Sequence, residues 1–239
     1  MELIKGNCLE KLKDIPDQSV DLAYMDLCYG QTACKWDKKF TKDEWVIFWK
    51  ELKRVARNDR TPFFFSCTTK FGFDIIESNK KWFRWDLVWK KNRATSFLTS
   101  YKLPMRKHEM IYCFSNKCPE YDVSSHLTGN TTEKKPSKGD TWLESAFGHR
   151  ACYDKPHISK EVKVRFPTSD ITPSLIDIDI DEDEPSSWCE FKNDERTGHR
   201  TAKPIALMEF LLKYWSKEGG TVLDPTMGSG SMGIACKKM

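Results

Sequence analysis

Apolar and polar stretches alternate along the chain in a way that predicts short buried strands separated by amphipathic helices. Residues 20–25 are a short apolar run, interrupted by Asp21 and entered from a polar turn, which is typical of a buried strand in a parallel sheet. Residues 62–67 and 109–115 are similar runs, and residues 84–90 alternate like a half-buried strand. A very short strand is also expected within residues 3–8.

Helices are predicted between these strands. Thr41 with Glu44 three positions later is a capping box, and a stripe of large apolar residues follows at helical spacing. Residues 69–78 are predicted as a second helix, and residues 201–204 open a third amphipathic helix. The alternation of strands and helices predicts an α/β fold, a doubly wound and mostly parallel sheet with helices on both faces.

Composition narrows the class of protein. A chain of 239 residues is long enough for one large domain, or for one domain with an insertion. Nine cysteines without a C-x-x-C pair indicate free thiols in a reducing compartment. The amino terminus lacks a signal-peptide pattern, and no apolar run approaches the roughly 20 residues of a membrane span, so a cytoplasmic protein without a membrane partner is expected. A net charge of +4 permits nucleic-acid binding.

The composition changes twice along the chain. Residues 1–115 carry most of the predicted strands and are interpreted as the first part of a core domain. Residues 116–196 are polar, rich in Ser, Thr, Lys and Pro, and predict an inserted, loop-rich region. Residues 197–239 return to strand and helix patterns and are interpreted as the second part of the core.

The strand at residues 20–25 ends on Asp26, Leu27, Cys28 and Tyr29. Ligands of open α/β sheets bind at the carboxyl ends of strands, so these residues are expected to face a cleft. A carboxylate and a main-chain carbonyl can accept the two hydrogens of a nucleobase amino group, while an aromatic ring stacks on the flipped base. The alternative, an acid that caps a turn beside a packed tyrosine, stays open on these residues alone.

A second strand end lies near the carboxyl terminus. Residues 219–231 read as a strand, a glycine-rich turn and the start of a helix. Glycines in such a turn let the backbone approach a ligand closely. No Lys-Ser/Thr pair follows, so the turn is not a phosphate-binding P-loop.

Basic residues interleaved with aromatic ones occur in two predicted loops, residues 30–39 and 90–108. This pattern suits a nucleic-acid backbone with base stacking, although an ordinary basic surface loop has the same composition. The candidate DNA contacts are Lys38, Lys39, Lys91, Arg93, Lys102 and Arg106.

No metal site is predicted. The residues that could be assembled into a zinc site have irregular spacing. They are His149, Cys152, His157 and Cys189. The acidic run at residues 177–184 lacks the glycine that a calcium loop needs at its sixth position.

With both strand ends in view, the chain resembles the amino-group DNA methyltransferases, which modify adenine N6 or cytosine N4, in the permuted order where the catalytic motif comes first. Residues 26–29 are similar to the catalytic Asp-Pro-Pro-Tyr, and residues 224–231 to the S-adenosylmethionine motif, with Met227 at the usual Phe. Residues 6–8 resemble a turn near the cofactor adenine, and Lys203-Pro204 a helix start beside its methionine part. His108-Glu109 matches a family position at the start of a late strand.

The resemblance implies a Rossmann-like methyltransferase fold, S-adenosyl-L-methionine as cofactor, and double-stranded DNA as partner, with the inserted region reading a short target sequence. An acid at position 26 favours adenine N6. The alternatives are cytosine N4, RNA, and a non-catalytic DNA-binding or regulatory relative. The implied cofactor-binding residues are Asn7, Cys8, Asp26, Lys203, Pro204, Asp224, Pro225, Thr226, Met227, Gly228, Ser229 and Gly230.

The sequence departs from the family pattern in two places. Leu27 and Cys28 replace two prolines, and the loss of their stiffness is expected to loosen the Leu27 carbonyl without abolishing activity. The chain also stops at Met239, inside the helix after the cofactor motif, where the family continues to another strand. Three explanations stay open on the sequence alone: the protein is shortened, a homodimer partner or a second chain supplies that strand, or the fold compensates for its loss.

Overall fold

A six-stranded sheet with helices on its two faces forms the centre of the structure, a computed structural model that describes residues 1–32, 34–95, 100–122, 175–177 and 202–239. The strands are β1 (Leu22–Met25), β2 (Phe63–Cys67), β3 (Phe83–Thr95), β4 (Arg106–Phe114), β5 (Leu175–Asp177) and β6 (Val222–Leu223). The helices are α1 (Cys8–Lys11), α2 (Lys42–Val55), α3 (Thr69–Ser78), α4 (Ile205–Trp215) and α5 (Ser231–Lys238), with a short 3-10 turn at Leu12–Asp14.

The strand order across the sheet is β5-β3-β4-β2-β1-β6. β1 is parallel to both β2 and β6, and β5 is parallel to β3, whereas β4 is antiparallel to its two neighbours. The sheet is therefore mixed, with parallel pairing concentrated around β1. Because parallel neighbours end at the same edge, the segments that follow β1 and β6 are brought together.

Apolar residues cover both faces of the sheet. On β2, Phe63 and Phe65 join one buried cluster with residues of α2 and α3, while Phe64 joins a second cluster with Leu207 of α4 and Met232 of α5. Successive side chains of a strand point to opposite faces, so the continuous phenylalanine run matches a strand that is buried on both sides. The expected α/β architecture with two helical layers is confirmed.

Several predicted elements are present with nearly the expected bounds. β1, β2 and β4 lie within or close to the predicted apolar runs, and α3 spans residues 69–78 as predicted. The capping box of α2 is formed: Thr41 Oγ1 accepts the Glu44 N–H, and Glu44 accepts the Thr41 N–H at 2.7 Å.

Two predictions of local structure are wrong. Residues 3–8 form no strand, because residues 1–5 pair with no described strand and Cys8 already begins α1, so Leu3 and Ile4 are exposed. The basic segment within residues 90–108 is also less of a loop than expected. β3 and β4 extend into it as an antiparallel pair, with Lys90 opposite His108 and Thr95 opposite Arg106.

Contacts along the chain define one compact unit, Met1–Asp122 with Thr172–Met239, to which all described residues belong; a second unit, Val123–Ile171, lies outside them. Most of the predicted insertion, including the four candidate zinc ligands and residues 178–184 of the acidic run, is likewise outside the described residues. Within the described part, the helices are all too short or too polar to cross a membrane.

Candidate active site

Two acids mark the edge where β1 and β6 end. Asp26 follows β1 and Asp224 follows β6, and the register pairs Ala23 with Leu223 just before them. The backbone N–H of Asp26 donates to Thr226 Oγ1 at 2.7 Å, and the N–H of Thr226 donates to Asp224 Oδ1 at 3.0 Å. Thr226 therefore ties the two predicted motifs, catalytic and cofactor-binding, into one site.

Both carboxylate oxygens of Asp26 are engaged by donors. The hydroxyl of Tyr29 donates to Oδ1 at 2.9 Å, and the ammonium of Lys203 donates to Oδ2 at 2.7 Å. Burial, reinforced by the negative charge of Asp26, raises the pKa of Tyr29 well above its ordinary value, so this phenol keeps its proton. A carboxylate with two donors is held in one orientation at the end of β1.

Lys203 is the buried cation of the site. Its side chain is 9% exposed and lies between Asp26 and Glu109, whose Oε2 is 3.6 Å from the ammonium. Burial alone would lower the pKa of Lys203, but the nearby charges of Asp26 and Glu109 outweigh it and raise the pKa, so the side chain stays protonated. Glu109 Oε1 in turn pairs with Lys91.

Asp224 has a different electrostatic environment. Burial raises the pKa of its carboxyl to about 6, against the opposing effect of hydrogen bonds from Thr226, and the negative charge of Asp26 raises it further. No cation is among the groups that set this value. The end of β6 thus carries a buried acid without a neutralising partner among the described residues.

The ring of Tyr29 is held from one side. It stacks on Phe71 of α3 with centroids 5.3 Å apart and an interplanar angle of 30°. The Lys203 ammonium lies 5.7 Å from the centroid of the same ring. The aromatic ring, the carboxylate of Asp26 and the ammonium therefore line one small region.

Asp37 anchors the loop that continues from Tyr29. Its carboxylate accepts the backbone N–H groups of Gly30, Gln31 and Thr32 at 2.7, 2.9 and 2.7 Å. Burial would raise the pKa of Asp37, but the hydrogen bonds from Thr32, Gly30 and Gln31 lower it below the ordinary value. The segment that follows Tyr29 is therefore tied by three bonds to one side chain, while the looser geometry expected at the Leu27 carbonyl stays a prediction.

The glycine-rich turn after β6 uses backbone conformations that favour glycine. Gly228 and Gly230 have φ angles of 52° and 80°, and a Cβ atom on Gly230 would meet no atom within 4 Å. Ser231, the first residue of α5, donates its hydroxyl to the Lys203 carbonyl at 2.7 Å. The starts of α4 and α5 are thereby joined beside the site.

The structure brings most of the predicted site residues together, but not all in the expected roles. Residues 26–29, Lys203, Pro204 and residues 224–230 share one edge of the sheet. Lys203 was expected to line the cofactor, yet its ammonium pairs with Asp26. Asn7 accepts the Leu9 N–H at 3.0 Å as the amino-terminal cap of α1, and Cys8 lies near Cys28, which helps burial to raise its pKa. Their contacts with a cofactor stay predictions.

The candidate DNA-binding residues fall into two groups. Lys38 and Lys102 are exposed and Arg106 is half-buried, so they remain available at the surface. Lys39 instead pairs with Asp74 at 2.5 Å, and Lys91 pairs with the buried Glu109. The charge of Lys91 is balanced inside the protein, and its contact with a DNA phosphate stays a prediction. The side chain of Arg93 lies outside the described residues.

Two residues of the site were missed by the sequence reasoning. The sequence places Glu109 at the start of a strand without a role, and it places Asp37 in a loop predicted to contact a nucleic-acid backbone. The pairing of Glu109 with the buried Lys203 cannot be predicted from the spacing of residues in the sequence. An Asp a few residues after a strand-end loop is a weak signal of such an anchor.

Neighbouring parallel strands that end in acids, followed by a glycine-rich turn and a helix, define an α/β protein with its ligand site at the carboxyl edge of the sheet. A family model agrees. The chain belongs to the N6/N4 DNA methylase family, whose model matches residues 20–239.

Individual relatives agree with this assignment. Type II methyltransferase M.HinfI of Haemophilus influenzae is 24% identical over 260 residues, covering 99% of this chain and 62% of the relative. The chain thus spans less than two thirds of that relative. Type II methyltransferase M.HpaI of Haemophilus parainfluenzae is 42% identical over 60 residues, which cover 23% of this chain and 19% of the relative.

Solved structures show the same fold. The PvuII DNA methyltransferase, which is cytosine-N4-specific, matches with a TM-score of 0.63 at 14% identity, covering 98% of this chain and 76% of that one. A putative DNA modification methylase from Thermus thermophilus, complexed with S-adenosyl-L-methionine, matches with a TM-score of 0.51 at 18% identity, covering 98% and 83%. The expected methyltransferase fold is confirmed.

Proposed function

We propose that this protein transfers a methyl group from S-adenosyl-L-methionine to the N6 amino group of adenine in double-stranded DNA, at a specific short sequence. The observation that carries the proposal is the Asp26 carboxylate, oriented by Tyr29 and Lys203 at the end of β1. Asp26 lies next to the glycine-rich turn, because its backbone N–H donates to Thr226 Oγ1.

The described residues fit the cofactor. S-adenosyl-L-methionine carries a positively charged sulfonium and supplies an electrophilic methyl group when bound. Asp224 is a buried acid without a cation, so a positively charged ligand beside it would relieve the cost of its ionisation. The open space beside Gly230 leaves room for a ligand against the turn. Asp224, Thr226, Gly228 and Gly230 are the residues we assign to hold it.

Asp26 and the Leu27 carbonyl act on the amino group of the target base. The nitrogen lone pair is delocalised into the ring, and acceptance of its two hydrogens by these oxygens returns electron density to nitrogen. Transfer of the methyl group would break its bond to the sulfonium sulfur as the N–C bond forms, and the cofactor would leave as the neutral thioether S-adenosylhomocysteine. The amino nitrogen would then carry one proton too many, and the Asp26 carboxylate is placed to accept it. Tyr29, stacked on Phe71, offers an aromatic surface for a base flipped out of the duplex.

The remaining steps concern recognition of DNA. Lys38, Lys102 and Arg106 are exposed or half-exposed basic residues that suit phosphate contacts. We assign the reading of the target sequence to residues 116–196.

The test is to incubate the protein with unmethylated double-stranded DNA and S-adenosyl-L-methionine, digest the DNA to nucleosides and measure methylated bases by mass spectrometry. N6-methyladenine is the expected product. Sequencing of the methylated DNA then gives the recognition site, and the same assay on single-stranded RNA is the control for substrate class.

Each other product contradicts a different part of the proposal. N4-methylcytosine would keep the chemistry of Asp26 but overturn the choice of adenine. Methylated RNA without methylated DNA would overturn the partner. No product, from a protein that binds S-adenosyl-L-methionine by calorimetry, would indicate a non-catalytic member of the family.

A further inference from the structure

The proposed chemistry needs Asp26 to accept hydrogens, and it uses the buried Lys203 ammonium only to orient that acid. Lys203 lies 2.7 Å from Asp26 Oδ2, the oxygen opposite the one bound by Tyr29. Burial of an ammonium is costly unless its charge is used, so a role beyond filling space is expected.

The Lys203 ammonium lies close to the place that we propose for the flipped base. It lies 5.7 Å from the centroid of the Tyr29 ring, on which we place the flipped base. A group that contacts both Asp26 and the space over this ring is next to any amino group that Asp26 accepts. Lys203 is therefore within reach of the atoms adjacent to that amino group.

Adenine and cytosine share one pattern on the Watson–Crick edge. The amino group, a donor, is followed by a ring nitrogen that is an acceptor, N1 in adenine and N3 in cytosine. Guanine and thymine carry a protonated ring nitrogen at that position. A carboxylate beside an ammonium offers the complementary pattern, an acceptor followed by a donor.

Glu109 provides the support that such a contact needs. For a base to reach Asp26, the ammonium must move off Oδ2, and the Glu109 Oε2 atom lies 3.6 Å from it. This oxygen is buried and has no hydrogen-bond partner among the residues that the structure describes. It is a ready acceptor that can hold the ammonium between itself and the base.

We propose that Lys203 is a specificity-determining residue that donates a hydrogen bond to the Watson–Crick ring nitrogen next to the target amino group, with Glu109 as its positioning residue. The inference rests on the proposed function and deepens it. Asp26 and Lys203 together read the amino and ring-nitrogen edge that adenine and cytosine share, and they discriminate against bases with a protonated ring nitrogen.

The test uses duplexes that carry the mapped recognition sequence with a single change at the target base. 1-Deazaadenine lacks the ring nitrogen but keeps the amino group, and 7-deazaadenine is the matched control because it lacks a nitrogen on the other edge. The unaltered protein should methylate the 1-deaza duplex about 10- to 100-fold more slowly than the adenine duplex, the effect of losing a hydrogen bond to a charged group. The 7-deaza duplex should react at nearly the adenine rate.

The variant Lys203→Met completes the comparison. This variant should methylate the adenine duplex more slowly than the unaltered protein does, and it should methylate the 1-deazaadenine duplex at the same rate as the adenine duplex. If Lys203 had a purely structural role, the variant would be slower on both duplexes, and the ratio of the two rates would stay as it is in the unaltered protein. Glu109→Gln should reduce the same ratio partially. Lys203→Arg keeps the charge and should retain part of the ratio.

Equal rates of the unaltered protein on all three duplexes would overturn the inference, and a loss confined to 7-deazaadenine would overturn the assignment to the Watson–Crick edge. These rates are measured on the unaltered protein, so the result does not depend on whether a variant folds. If the mapped product is N4-methylcytosine, 3-deazacytosine is the equivalent probe. Failure to methylate the unmodified duplex would refute the proposed function itself, and the inference with it.

Discussion

The loop after β1 and the turn after β6 begin alike, with an acid at the end of a parallel strand, but they are stabilised differently. In the loop, Asp26 is paired with a cation and Asp37 accepts three backbone N–H groups. In the turn, glycines supply the conformation, and the described part of the chain places no cation beside Asp224. The loop is organised before any ligand arrives, whereas the turn retains an unbalanced charge that suits a cationic ligand.

The loop also explains how the site is held without the family's prolines. Proline would restrict the backbone directly. Here the same segment is restrained from outside, by Thr226 at Asp26 and by Asp37 at Gly30 to Thr32. Hydrogen bonds restrain the two flanks of residues 27–28, one from the nearby Asp37 and one from Thr226, which is distant in sequence.

The largest effect is expected at the acid of the loop. Asp26→Ala removes the acceptor for the target amino group, and the methylation rate should fall by about 10²- to 10⁴-fold, the range for loss of acid–base assistance. Calorimetry should show nearly unchanged affinity for S-adenosyl-L-methionine. Asp26→Asn keeps one acceptor oxygen, so its methylation rate should lie between those of Asp26→Ala and the unaltered protein. Full activity of Asp26→Ala would contradict the proposed role of Asp26.

The next effect is expected at the anchor of the loop. Asp37→Ala removes the acceptor of three N–H groups and should lower the free energy of unfolding by about 2–3 kcal/mol, since water replaces part of what is lost. Chemical denaturation at pH 7 measures the change. Asp37→Asn should cost less, and Asp43→Ala, at an exposed acid of α2, is the control.

The pH dependence of this effect has a definite sign. The pKa of Asp37 is lower in the folded protein than in the unfolded chain, so its stabilisation is present above pH about 4 and is lost as the pH falls through the depressed value. The difference between Asp37→Ala and the unaltered protein should shrink in acid. If the difference in the free energy of unfolding does not change with pH, the charged form of Asp37 does not anchor the loop.

The last effect is expected at the turn, with the opposite sign and at most the size of the Asp37 effect. The pKa of Asp224 is raised to about 6, from an ordinary value near 4, so ionisation costs the folded state about 2–3 kcal/mol at neutral pH. Asp224→Asn should therefore raise the free energy of unfolding by up to that amount at pH 8. The gain should decrease as the pH falls from about 6 to about 4, where the acid is protonated in both states.

Ligand binding sharpens this last comparison. Asp224→Asn should bind S-adenosyl-L-methionine more weakly than the unaltered protein, because the negative charge that favours a cationic ligand is gone. A variant that is more stable and binds equally well would show that Asp224 does not face the cofactor.

Much of the molecule could be predicted from the sequence alone. Short apolar runs predicted β1 and β2, the Thr41 and Glu44 capping box predicted the start of α2, and the resemblance of residues 26–29 and 224–231 predicted the two halves of the site. These features depend on neighbours within a few residues, through side-chain periodicity and local hydrogen bonds.

Only the tertiary structure decided which charges meet. Lys91 and Lys203 converge on Glu109, and Lys203 on Asp26, across separations of 18 to 177 residues that no local pattern encodes. The same holds for the failed strand at residues 3–8, since a strand exists only where another strand accepts its hydrogen bonds. Local sequence determined the elements and the chemistry available, and the pairing of distant side chains determined which of those groups form the site.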